Sequence, residues 1–182
     1  NGNTIAIGAP GATLPDALFD VAETLEPWLS VDPNPDVNAG VVVIADRSAT
    51  GWRIRRTIKL LEDEPLLANS STVIHDRAGW QFGHSVALSS SHLAVGAPYA
   101  SVRPIPAADA DPEVGAVVIY KRSGNNFEIQ DILTPEDLST KLWPHDANPS
   151  EFFGYSLGLS GGLLAIGAPN AEHAAENANL DA

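Results

Sequence analysis

The stretch QFGHSVALSSSHLAVGAPYA, Gln81 to Ala100, decides the fold, and the chain nearly repeats it as FFGYSLGLSGGLLAIGAPNA, Phe152 to Ala171. The second half of the phrase occurs three times: TIAIGAP at Thr4 to Pro10, HLAVGAP at His92 to Pro98 and LLAIGAP at Leu163 to Pro169. In each, larger apolar residues alternate with alanine, the period of a strand with one tightly packed face. Each then stops at Gly-Ala-Pro. Proline has no N–H to give a sheet ladder and glycine lets another backbone come close, so the strand ends packed against a near neighbour.

The first half of the phrase, FGHSVALS from Phe82 and FGYSLGLS from Phe153, is joined to the second by Ser90 and Ser91 in one copy and by Gly161 and Gly162 in the other. Two short runs joined so tightly form a β-hairpin. Downstream, AGVVVIADRSATGWRIRRTIKLLEDE from Ala39 and VGAVVIYKRSGNNFEIQDILTPED from Val114 each hold a β-branched run, an Arg-Ser turn with a glycine, and an aromatic opening a second run. That is a second hairpin. The unit predicted is four antiparallel strands, over about 84–89, 92–97, 115–121 and 127–134.

By this count residues 1–65 are an incomplete unit lacking its first strand, 80–137 a complete unit and 152–182 the first half of another. Methionine is absent, even at position 1, which leads us to expect an internal piece of a longer polypeptide. Such units expose two sheet faces and must stack to bury them. Radial stacking of four-stranded units is the β-propeller, so the expected fold is all-β, a partial propeller of two to three blades. Closing the ring calls for further blades of a parent chain or for other copies of this one. The longest connection contains TLPDALFDVAETLEPWL, Thr13 to Leu29, with Leu18, Val21 and Leu25 at helical spacing and Thr13 and Pro15 as start residues, so a short helix is expected in that loop.

Phe82-Gly83 and Phe153-Gly154, followed by Gly96-Ala97-Pro98 and Gly167-Ala168-Pro169, with Gly8-Ala9-Pro10 before them, resemble the FG-GAP repeats of integrin α-subunit β-propellers. The fuller pattern is more similar still to FG-GAP proteins of microbial surfaces. The resemblance covers nearly the whole chain outside the loops. It implies a propeller, seven-bladed when complete, and a role in extracellular adhesion or in protein and glycan interaction. One departure matters: where integrin repeats carry an Asp-rich calcium loop, this chain has Ser89 to His92 and Ser160 to Gly162. Hydroxyls and glycines do not replace three carboxylates around a cation that takes 6 to 8 oxygens.

The metal candidates lie instead in two acidic loops, DPNPDVNAG with Asp32, Asn34 and Asp36, and DADPEVG with Asp109, Asp111 and Glu113. Oxygen ligands on alternate residues suit Ca²⁺ if the loop curls, although Pro33, Pro35 and Pro112 interrupt the usual geometry, and a solvated acidic loop is the plainer reading. His75, His84, His92, His145 and His173 form no zinc-binding spacing; a hairpin could bring His84 and His92 face to face, but two imidazoles without a third ligand make a weak site. GYSLG, Gly154 to Gly158, matches a nucleophile elbow in letters only, because the other copy has GHSVA there. Phe82 and Phe153 read as fillers between blades, Ser85 and Ser156 as hydroxyls bonded to nearby backbone, and Trp52 and Trp80 as core residues, with Trp28 and Trp143 in or beside loops. Asn69-Ser70-Ser71 fits the N-glycosylation pattern.

With 10 Lys and Arg against 23 Asp and Glu, the net charge of -13 disfavours nucleic acid and anionic membranes as partners. No apolar run reaches the roughly 20 residues of a membrane span, so no membrane insertion is expected. Cysteine is absent, which excludes disulfides and thiolate chemistry. The function expected is non-catalytic: an extracellular or cell-surface module binding protein or glycan through its loops, with calcium as a possible cofactor. Two alternatives stand beside it, a structural subunit of an extracellular assembly and an accessory propeller of a larger secreted enzyme.

Overall fold

The computed structural model describes residues 3–13, 38–60, 78–101, 114–135 and 151–171, with the backbone of 72–73 and 103–104. Every element on these residues is a strand, so the all-β expectation holds. The helix predicted in the first loop lies outside the described residues, as do His75, His145, His173, Trp28, Trp143 and Asn69.

A first sheet is formed by β1 (Thr4–Ala9), β2 (Val41–Ser48) and β3 (Gly51–Ile58), in that order and antiparallel. A short pair follows, β4 (Thr72–Val73) with β7 (Arg103–Pro104), which the repeat does not announce. The second sheet has four antiparallel strands in the order β5 (Ser85–Leu88), β6 (His92–Ala97), β8 (Ala116–Ser123) and β9 (Asn126–Leu133). A third holds β10 (Ser156–Ser160) and β11 (Leu163–Gly167). The three larger sheets are blades of a partial β-propeller, and their strands follow the periodic runs closely.

Register explains the alternation of large and small residues. In β6 the larger Leu93 and Val95 stand opposite Tyr120 and Val118 on one side of the sheet, while Ala94 and Gly96 stand opposite Ile119 and Val117 on the other; in β1 Ile5 and Ile7 stand opposite Ala45 and Val43, and Ala6 and Gly8 opposite Ile44 and Val42. Leu93, Val95, Val118 and Tyr120 of the second sheet join Val42, Ile44, Ile58 and Leu60 of the first, with Trp80 and Phe82, in one buried cluster. The opposite side of the second sheet, Ala94 and Val117, meets Phe153, with Leu157, Leu164 and Ile166 of the third sheet packed around it. The second sheet is therefore sandwiched between its neighbours. Full burial of each such Leu, Val or Phe contributes about 1.5–3 kcal/mol, more than any polar contact across these boundaries supplies.

Both outer hairpins break register at the same place, between Ile44 and Ala45 and between Ile119 and Tyr120. The residues left over in these bulges are Arg55 and Gln130. A bulge at one point of each repeat bends the outer strands alike, which keeps successive sheets nested. The bulge arginine then reaches across: Arg55 lies 6.0 Å from the ring centroid of Phe127 while its Nη1 contacts Asp46 at 2.9 Å within the first sheet.

Candidate interaction surface

The phrase Phe-Gly is the stitch between sheets. The Phe82 N–H donates to the carbonyl of Ala39 at 2.9 Å and the Gln81 N–H to Asn38 at 3.0 Å, so this dipeptide crosses from the second sheet into the first. The third sheet repeats the move, with the Phe153 N–H donating to Val114 at 3.1 Å. Gln81 and Gly83 have φ of 53° and 89°, and Phe152 and Gly154 have 57° and 87°, so the two crossings share one backbone shape.

Close approach requires the glycines of Gly-Ala-Pro. A β-carbon on Gly8 would overlap the carbonyl of Gly83, and one on Gly96 would overlap the carbonyl of Gly154 and the Ser85 hydroxyl. Gly40 and Gly115, just before the third strand of their units, stand equally close to the backbones of Phe82 and Phe153. The interlock therefore has four parts, Phe-Gly from one unit and two separated glycines from the unit before it. Ser85 adds a bond, its Oγ donating to the Gly154 carbonyl at 2.6 Å across the junction. That partner is distant in sequence, unlike the nearby backbone expected.

The remaining repeat residues fall at the same boundary. Phe82 is 1 % exposed and meets Tyr120 edge-on at 6.4 Å, while Phe153 is buried against Ala94 and Val117. Ala97 and Pro98 are buried, Ala97 within the cluster shared with the first sheet, and their counterparts Ala9 and Pro10 are half-buried. Gly167 and Ala168 are half-buried and Pro169 is exposed, since no described sheet follows the third. Trp80 is buried as expected, but Trp52 is not: it is 50 % exposed, whereas its counterpart Phe127 is 6 % exposed. The reason is position, because the first sheet covers Phe127 and no described sheet covers Trp52.

His84 and His92 do not face each other. Ser85 pairs with Gly96 and Leu88 with Leu93, which puts the two imidazoles at opposite ends of the hairpin. His92 Nδ1 lies 2.8 Å from Ser91 Oγ and Nε2 lies 3.1 Å from Gln130 Oε1, both hydrogen bonds. At the same turn the Ser89 hydroxyl accepts the His92 N–H at 2.9 Å, so a serine closes the connection where integrins place calcium. Asp32, Asn34, Asp36, Asp109, Asp111 and Glu113 lie outside the described residues.

Antiparallel order places the tight turns at 49–50, 89–91, 124–125 and 161–162 at one end and residues 13, 60, 101 and 135, at which the long connections begin, at the other. Of the 23 Asp and Glu, only Asp46, Glu128, Asp131 and Glu151 are on described residues; the rest occupy the connecting segments and the chain ends. The loop end carries rings: Tyr99 to Phe152 at 5.0 Å, Phe152 to Tyr155 at 6.4 Å and His84 to Tyr155 at 4.5 Å. Tyr155 is 44 % exposed. At the preceding junction Gly11 and Gln81 take the places of Tyr99 and Phe152, so the blade fold does not demand this group. No period in the sequence joins Tyr99 to Phe152 and Tyr155, which belong to different segments of the chain.

Residues 137–179, which include the third sheet, match the FG-GAP repeat family. No curated protein matches the chain.

Proposed function

From a chain built of FG-GAP repeats, we propose a non-catalytic module that binds a protein or glycan partner through its loop end, outside the cell or on its surface. The repeat supports a propeller-like module of a kind often extracellular and adhesive. The observation that carries the reading is the ring group at the loop end, where Tyr99, Phe152, Tyr155 and His84 gather at one junction while Gly11 and Gln81 stand in the places of Tyr99 and Phe152 at the other. Rings with an apolar face and a polar tip suit sugar and protein recognition, and loops on a rigid scaffold are where recognition concentrates. Among the described residues no helix is long and apolar enough to cross a membrane.

The test is binding of the full chain to a printed glycan array and to adherent cells, comparing Tyr155→Ala with Thr50→Ala at the turn end. The reading expects Tyr155→Ala to weaken capture about tenfold, the scale of a lost aromatic anchor of roughly 1.4 kcal/mol, with thermal melting unchanged. Equal capture by both variants, or release of sugar from a captured glycan, overturns it.

A further inference from the structure

Arginines of two units converge on one turn. The connection between β8 and β9 offers the Gly124 carbonyl to Arg122 Nε at 3.2 Å, Asn125 Oδ1 to Arg55 Nη1 at 3.5 Å and Asn126 Oδ1 to Arg56 Nη1 at 3.1 Å. Arg53 stands opposite Asp46 in register, so it shares the side of the first sheet on which Arg55 holds that carboxylate. Glu128 and Asp131 stand opposite Lys121 and Ile119, which puts them on the other side of the second sheet from Arg122 and Phe127.

The blade does not require this charge. In the next unit the places of Arg53, Arg55 and Arg56 are taken by Glu128, Gln130 and Asp131, in the same register and around the same bulge. Arg53, Arg55, Arg56 and Arg122 thus gather where Asp46 is the one carboxylate paired among the described residues. Arg55, held 6.0 Å from the Phe127 ring centroid, keeps Nε and Nη2 buried with no acceptor among those residues. A charge drawn out of water is poorly screened, so its field adds to that of the exposed Arg53 and Arg56. The acidic balance of the whole chain acts at long range, but within a Debye length of about 8 Å the local excess decides.

We infer that this turn end is a binding site for an anionic polysaccharide, whose sulfate or carboxylate groups meet Arg53, Arg56 and Arg122 while its hydroxyls meet the amides of Asn125 and Asn126. Guanidiniums match such oxyanions two donors at a time. One exposed ion pair is weak, so the ligand is a polymer that engages several together. Nucleic acid fits less well, because Phe127, the ring beside these arginines, is 6 % exposed and gives bases no stacking face. An acidic peptide fits less well too, because two neutral amides are interleaved with the guanidiniums, as suits a chain with hydroxyls between its charges. The site is at the end opposite the ring group and stands apart from the loop-end reading.

The test is the Kd of the full chain for heparin and for polygalacturonate at low ionic strength, with dextran as the uncharged polymer and poly-L-glutamate as the anionic peptide. Arg53→Glu with Arg56→Asp installs the residues that the next unit carries at those places. Arg47→Glu with Lys121→Glu makes the same change in net charge away from the group, since Arg47 is opposite Trp52 and Lys121 opposite Glu128 in register. The first pair should raise Kd for at least one of the two polysaccharides by about tenfold or more and the second pair by less than about twofold, with dextran unbound and affinity falling as salt is added. No binding of the parent to either polysaccharide, equal losses in the two variants, or tighter binding to poly-L-glutamate overturns the inference. If the charge-reversed protein does not fold, Arg53→Gln with Arg56→Gln decides: it removes charge but keeps hydrogen-bond donors, and a Kd within about twofold of the parent refutes the site.

Discussion

Replacing Gly96 by alanine separates the interlock from every other role of that glycine. Gly96 sits inside β6, where alanine is the better residue on backbone entropy by about 0.5–1 kcal/mol, so propensity alone predicts a gain. Its backbone is not in the left-handed region, and no strain at φ confuses the reading. The new methyl would overlap the Gly154 carbonyl and the Ser85 hydroxyl. Backbone gives little, so the third sheet must move outward, at an overpacking cost of about 1–3 kcal/mol. Displacing Gly154 also breaks the 2.6 Å bond from Ser85, worth about 1 kcal/mol. The net expectation is destabilisation by roughly 1–3 kcal/mol, opposite in sign to propensity. Urea unfolding of the full chain measures it, with Gly162→Ala as control because a β-carbon there meets nothing within 4 Å. A Gly96→Ala protein as stable as the parent, or more so, would refute the steric argument.

Three further outcomes follow from the same geometry. Ser85→Ala should cost about 1 kcal/mol in urea unfolding, while the exposed Ser156, its repeat counterpart, should tolerate alanine within about 0.5 kcal/mol. Tyr120 is 3 % exposed and its hydroxyl has no hydrogen-bond partner among the described residues, so Tyr120→Phe should leave stability unchanged or raise it by about 1 kcal/mol. Burial pushes the Tyr120 phenol well above its ordinary pKa of 10.0, with the Arg56 charge opposing only in part. The folded state thus holds the neutral form while the unfolded chain ionises, so stability is full below pH 10 and declines above it, and Tyr120→Phe should flatten that alkaline decline in a pH series of melting curves.

Strand positions were legible because β5 and β6 alternate larger and smaller residues, β8 is a β-branched run, and β9 alternates up to its bulge at Gln130. The hairpin read at 84–97 forms over Ser85–Leu88 and His92–Ala97, and the one read at 115–134 over Ala116–Ser123 and Asn126–Leu133. Less was legible about what each residue meets. Gly40 and Gly115 complete the interlock, yet each is a single letter before a β-branched run, and only the shared place in both copies hints at a duty. Trp52 repeats Phe127 in sequence, but burial depends on a neighbouring sheet, which a residue pattern does not count. The pairing of β4 with β7 joins segments of two different connections and leaves no periodic trace. The Tyr99, Phe152 and Tyr155 group escaped for a similar reason: three residues from two loops become neighbours only when two sheets nest.

The central claim, that Phe-Gly of one unit is bonded into the unit before it, is tested most directly by amide hydrogen exchange at Phe82 and Phe153. Both residues lie outside the strands, and their N–H groups are satisfied only by Ala39 and Val114 of the preceding unit. Exchange as slow as at Val95 in the buried strand β6 is the result predicted. Exchange at the rate of the exposed turn at Gly124 and Asn125 would mean that the sheets are not stitched together, and would contradict the account.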